Sequence, residues 1–233
     1  MFNLFKKKEQ KAEQKVEPKQ GNPFLEMRGH FMGNVNFNEW PKGENDAYPW
    51  SLFVAARKAL AVNNYAEAEK YLRQITEAPD LEPRHYLQAW LFLRHFLKVQ
   101  PSPEVAKNVY GVMVEVCTST GVLLVAGYPD HKARTLHSSG GGIIWENPDH
   151  SMNDKIDSLI HAGEVAIRSI PLVVVDIVPN PPKQVDHILI CIATPSGIYH
   201  GLGTGNFMSN DPYAGPILSA GTSLLQGLQN LKK

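Results

Sequence analysis

The chain has 233 residues, 43% hydrophobic and 20% charged, ordinary figures for a globular protein with one large or two small buried cores. Lys plus Arg and Asp plus Glu both total 23, so the formal net charge is zero and a bulk polyanion such as nucleic acid is not an expected partner. The only cysteines, Cys117 and Cys191, sit in apolar strand-like runs and fit buried thiols of a reducing compartment better than a disulfide framework, although the sequence leaves a bridge between them open.

Residues 1–20 form a lysine-rich charged tail with no apolar side chain dense enough to offset its ordering entropy. Its opening, MFNLFKKK, reverses the order of a secretory signal, so a cytoplasmic protein is expected. Phe2, Leu4 and Phe5 beside the lysines offer weak contact with an anionic membrane surface at the inner face; the plainer reading is a solvated terminus. No apolar run approaches the ~20 residues that span a bilayer. Residues 21–49, rich in Gly, Asn and Pro, read as a linker or irregular wrap whose Phe24, Phe31, Phe37 and Trp40 dock on the core.

Residues 50–100 read as a helical segment. Apolar spacing predicts helices over 50–62, 65–77 and 83–99, broken at Asn63-Asn64 and before Pro79, with Pro83 in a first helical turn. The third is apolar over most of its circumference, the mark of a central, buried helix. Leu52, Ala56, Asn64, Tyr65, Ala68, Leu72 and Pro79 resemble one tetratricopeptide-like hairpin. A single repeat cannot bury its own face, so the resemblance implies a helical hairpin capping another layer rather than a peptide-binding array.

Residues 101–233 read as an α+β sheet domain. A short helix at 103–107 is followed by strands over 110–117, 122–128, 132–136 and 143–146, separated by turn residues as in an antiparallel meander. A helix over 152–170 opens on Ser151 and Asp154 at capping-box spacing. Strands at 172–178, 185–193 and 197–201 and a last helix at 216–231 complete the order. The fold class is α+β, with an N-terminal three-helix segment packed on an antiparallel sheet whose own helices cover one face; profilin-like and roadblock-like layouts share such an order, an analogy of fold that carries no function. The run Ala126-Gly127-Tyr128-Pro129-Asp130-His131-Lys132-Ala133-Arg134, with Ser139-Gly140, Trp145-Glu146, Pro195-Ser196-Gly197 and Ala214-Gly215-Pro216, resembles a group of functionally uncharacterised bacterial α+β proteins over residues 110–228. That resemblance implies one continuous domain and supplies no activity.

Candidate chemistry is thin. Six of nine histidines follow residue 130, but no metal-ligand spacing occurs; His131 and His137, if on one strand, stand about 20 Å apart. No metal and no cofactor is expected. On the 152–170 helix, Asp157 and His161 have the spacing of a carboxylate–imidazole pair, while Glu164 and Arg168 read as an ordinary solvent-face ion pair. Ser138-Ser139-Gly140-Gly141-Gly142 and Gly201-Leu202-Gly203-Thr204-Gly205 are glycine clusters able to form anion-binding nests; the plainer readings are a hairpin turn and a loop leaving a strand, with no helix opening promptly after residue 205. Cys117 shares a strand face with Glu115 and is expected to be an inert thiol. The candidate binding residues are therefore Ser138, Ser139, Gly140, His131, His137, Gly201 and Gly203. The expected function is a non-enzymatic binding or interaction module, its partner another protein or a second copy. The alternative is a small hydrolase or transferase that pairs a histidine with a carboxylate beside a glycine loop.

Overall fold

Asn22 starts the described chain, which covers residues 22–171 and 173–231 of a computed structural model. Its side chain accepts the Phe24 amide and Pro23 occupies the first turn, so helix α1 (Pro23–Phe31) begins at a well-formed cap inside the stretch that composition reads as irregular. Phe24, Arg28 and Phe31 form its buried face. Helices α2 (Trp50–Ala61) and α3 (Tyr65–Glu77) follow, the second capped by the Asn64 side chain on the Glu67 amide. Ala56 and Ala68 are fully buried, and their small size lets the two helices approach closely. Helix α4 (Pro83–Leu97) is buried at every position from Leu87 to Arg94 and ends where Lys98 turns left-handed. With Trp40, Phe53, Leu72 and Ile75 it builds one apolar core. No helix forms over 103–107: the segment is a set of hydrogen-bonded turns, because so short a piece cannot repay helix nucleation.

The sheet has seven strands, all antiparallel: β1 (Gly111–Thr118), β2 (Gly121–Gly127), β3 (Ala133–His137), β4 (Gly142–Trp145), β5 (Val174–Val175), β6 (His187–Thr194) and β7 (Gly197–Thr204). Their order is β4-β3-β2-β1-β6-β7-β5, so two meanders meet where β1 pairs with β6. Both faces are covered, which is why β1 and β6 are apolar nearly throughout. On one face Val112, Val114, Val125, Ile190 and Ile192 pack under α5 (Asn153–Ser169) and α7 (Ala214–Asn230). Gly163 of α5 lies so close to β1 that an added Cβ would stand 2.7 Å from Val112 Cγ2. On the other face Met113, Cys117, Leu124, Leu189 and Cys191 are covered by Phe24, Phe31, Met32, Leu87 and Val178. Both thiols are free; Cys191 lies opposite Met113 and Cys117 opposite Val122, four residues apart along β1.

Several boundaries differ from expectation for identifiable reasons. Of the expected strand over 172–178 only Val174–Val175 pairs, on β7, and residue 172 lies outside the described chain. The strand expected from 185 starts at His187, because Asp186 has φ of 66° and turns the chain while its amide bonds the Cys117 carbonyl. Strand β7 runs on to Thr204, so Gly201 to Thr204 are extended rather than a loop. Helix α6 (Gly205–Asn210) then opens at once, with the Thr204 hydroxyl accepting the Phe207 amide. The Ser151–Asp154 capping box does not form: Met152 is the N-cap of α5, and the Ser151 amide donates to Asp149. Among the described residues no helix is long and apolar enough to cross a membrane.

Candidate binding bay where β5 leaves β7

The candidate residues are distributed over three places. His131 lies in the β2–β3 turn, not on a strand, and its Nε2 is 2.9 Å from Asp157 Oδ1, both side chains open to solvent. Asp157 thus meets His131 rather than His161. His137 ends β3 at the opposite end; its Nδ1 is 2.6 Å from the Ser139 hydroxyl and also accepts the Ser139 amide. Ser138 Oγ accepts the Val122 amide, and Gly140 takes φ of 101° in the hairpin tip, so Ser138, Ser139 and Gly140 are engaged in closing a turn. Gly201 and Gly203 stand on β7, four strand spacings or roughly 19 Å from β3. They have extended backbone and so lack the alternating conformation of an anion nest. Among the described residues no group of three or more His, Cys, Asp or Glu side chains could hold a metal ion.

Gly201, unlike Gly203, lines an open and mostly apolar bay. Strand β5 pairs with β7 only at Ile198 and Tyr199, while the chain leading to it from α5 comes down off the helical layer. Just past this pairing, a gap of about 200 Å³ lies between the β6–β7 face, the end of α5, α6 and the start of α7. Ile190, Ile192 and Tyr199 line it from the sheet, Ile170 from the end of α5, and Phe207 and Met208 from α6. At Gly203 a Cβ would sit 3.1 Å from the Met208 and Phe207 side chains, a tight contact for α6 to absorb. Gly201 is different: a Cβ would meet only Met208 Cε, at 3.8 Å, so its position leaves space. The acid on the wall, Asp211, is occupied in accepting the Tyr213 and Ala214 amides that start α7. Phe207 and Leu202, which line the bay, stand at 64% and 58% exposure, an accumulation of large apolar surface in one place.

The other concentrations of polar groups have structural explanations. A cleft between α4, the β2–β3 turn and β4 holds Glu82, Asp130 and Glu146 against Lys132 and Arg134, with Lys132 Nζ 3.2–3.8 Å from all three carboxylates. Burial opposes ionisation of Glu82, but Arg84, Lys132 and His85 together hold its carboxyl below the usual range, whereas burial raises that of Asp130. These charges satisfy one another and join the helical layer to the sheet. Across the sheet, Arg28 forms a bidentate pair with Glu115 and also donates to the Pro179 carbonyl at 2.6 Å. Glu115 is fully buried, and burial pushes its carboxyl upward in spite of Arg28. Sequence reasoning missed this pair; its one signal was a lone carboxylate inside the run GVMVEVCT. Burial likewise pushes the Cys191 thiol up to about 12, an inert state.

Compared with family models, with curated proteins and with solved structures, the chain matches none.

Proposed function

We propose that the protein is a non-enzymatic binding module that holds an apolar group of a partner in the bay between β7, α6 and the end of α5. The observation that carries this reading is an open, mostly apolar bay bordered by exposed Phe207 and Leu202, a surface that a monomer has little reason to present. The hydrolase alternative has less support, because the His131–Asp157 pair and the Ser138–Gly140 loop lie at opposite ends of β3. A reducing, cytoplasmic setting accords with two free buried thiols. The membrane contact considered for residues 1–20 falls outside the described residues.

The test uses the solvatochromic probe anilinonaphthalene sulfonate on the full chain. Saturable fluorescence enhancement is expected in the wild type, with about tenfold weaker binding in Gly201→Val, which adds bulk at the bay wall where a Cβ meets only Met208 Cε. Equal binding by both proteins would sink the reading.

A further inference from the structure

The bay opens on an unfinished sheet edge, and this edge suggests what enters it. Beyond Tyr199, β7 has β6 on one side and, among the described residues, no strand on the other, leaving His200 to Thr204 extended with outward main-chain groups. The opposite edge of the sheet is blunted: β4 has four residues, preceded by Gly140 and Gly141 in turn conformations and followed by Glu146. The β7 edge lacks the protections of charge and proline, for His200-Gly201-Leu202-Gly203-Thr204 contains no Lys, no Pro and no acid.

Resting on the binding reading above, we propose that this edge takes an extended, uncharged peptide segment of a partner protein as an eighth strand, with one bulky apolar side chain seated in the bay. Two features select this occupant. The unpaired amides and carbonyls of β7 call for main-chain partners, which a peptide supplies and an acyl chain does not. Asp211, whose Oδ1 is engaged at the start of α7, is the one carboxylate in a lining that is otherwise mostly apolar, so an apolar side chain matches it and an acidic one is repelled. Its volume of about 200 Å³ suits one aromatic or branched aliphatic side chain and falls short of the ~300–1,000 Å³ typical of whole-ligand pockets.

The experiment is selection of a random nine-residue peptide display library on the full-length protein, followed by synthesis of the enriched peptide and of its singly N-methylated forms. Uncharged sequences with one central bulky apolar residue are expected. Affinity should fall about tenfold in Gly201→Val, and should fall similarly when alternate peptide amides are methylated but not when the intervening ones are. Should Gly201→Val not fold, as judged by circular dichroism melting, Phe207→Ser at the exposed rim serves the same purpose. Peptides that bind both proteins equally, or that tolerate methylation at every amide, overturn strand addition. If decanoate or the fluorescent probe senses Gly201→Val while no peptide does, strand addition fails and the bay stands. If none senses it, both readings fail.

Discussion

On one face of the sheet, α5 and α7 meet Val112, Val114 and Ile192 through apolar contact made close by Gly163, where a single methyl would collide with β1. On the other face, α1 and the chain after it are fixed by directed polar bonds. Arg28 grips Glu115, Tyr128 donates to the Phe31 carbonyl at 2.9 Å, and Gln88 bonds both main-chain groups of Val35. Apolar packing is non-directional and tolerates small slides of a helix; a buried ion pair admits one docking position. The comparison teaches that one cover is held by fit and the other by address. A nine-residue helix with three buried side chains has too little apolar surface to choose its place alone, and the Arg28–Glu115 pair makes that choice.

Four substitutions sharpen this contrast, from the largest effect to the smallest. Arg28→Ala leaves Glu115 buried without its partner and should cost about 3–5 kcal/mol in urea unfolding, whereas the paired change Arg28→Met with Glu115→Met should restore most of that loss. A double variant as unstable as the single one would mean that packing, not the charge, holds α1. On the apolar face, Leu159→Ala removes a fully buried side chain and should cost about 3 kcal/mol, with no rescue from a polar partner.

The third change concerns His85, packed against Trp40 and Trp50, with both ring nitrogens buried and unpartnered. Burial, aided by Arg84, lowers its pKa from 6.5 to about 4. Because the folded value lies below the unfolded one and the folded state favours neutral imidazole, its contribution is complete above pH 6.5 and is lost as pH falls toward 4. The wild type should therefore lose about 3 kcal/mol more than His85→Phe between those limits, and parallel pH profiles would refute the assignment. Smallest is Tyr128→Phe, which deletes one buried hydrogen bond to α1 and should cost about 1 kcal/mol by the same unfolding measurement.

Much of the architecture was legible in the chain. Helices α2, α3 and α4 lie within two residues of their expected bounds, because their apolar period is strong and prolines or asparagines punctuate them. The alternation that puts Val112 and Val114 on one face and Met113, Glu115 and Cys117 on the other also reads directly from β1. Helix α1 was not legible: a local cap starts it, but its reason to form there is Glu115, 87 residues away. The extension of β7 was hidden because glycine usually signals a turn, whereas Gly203 sits in extended backbone with the Met208 and Phe207 side chains of α6 packed close over it. The bay was invisible for a related reason. It arises where β5 stops pairing, and Ile170, Tyr199 and Met208 meet only through the tertiary path of the chain.

Cys117 and Cys191 lie beneath the α1 cover, at 8% and 0% exposure. Cys191, fully buried, cannot be alkylated without the cover lifting, so the thiols amount to a built-in clock. The reaction rate of Cys191 with a small maleimide counts how often α1 leaves the sheet, and that of Cys117, nearer the margin, reports fraying of the same element.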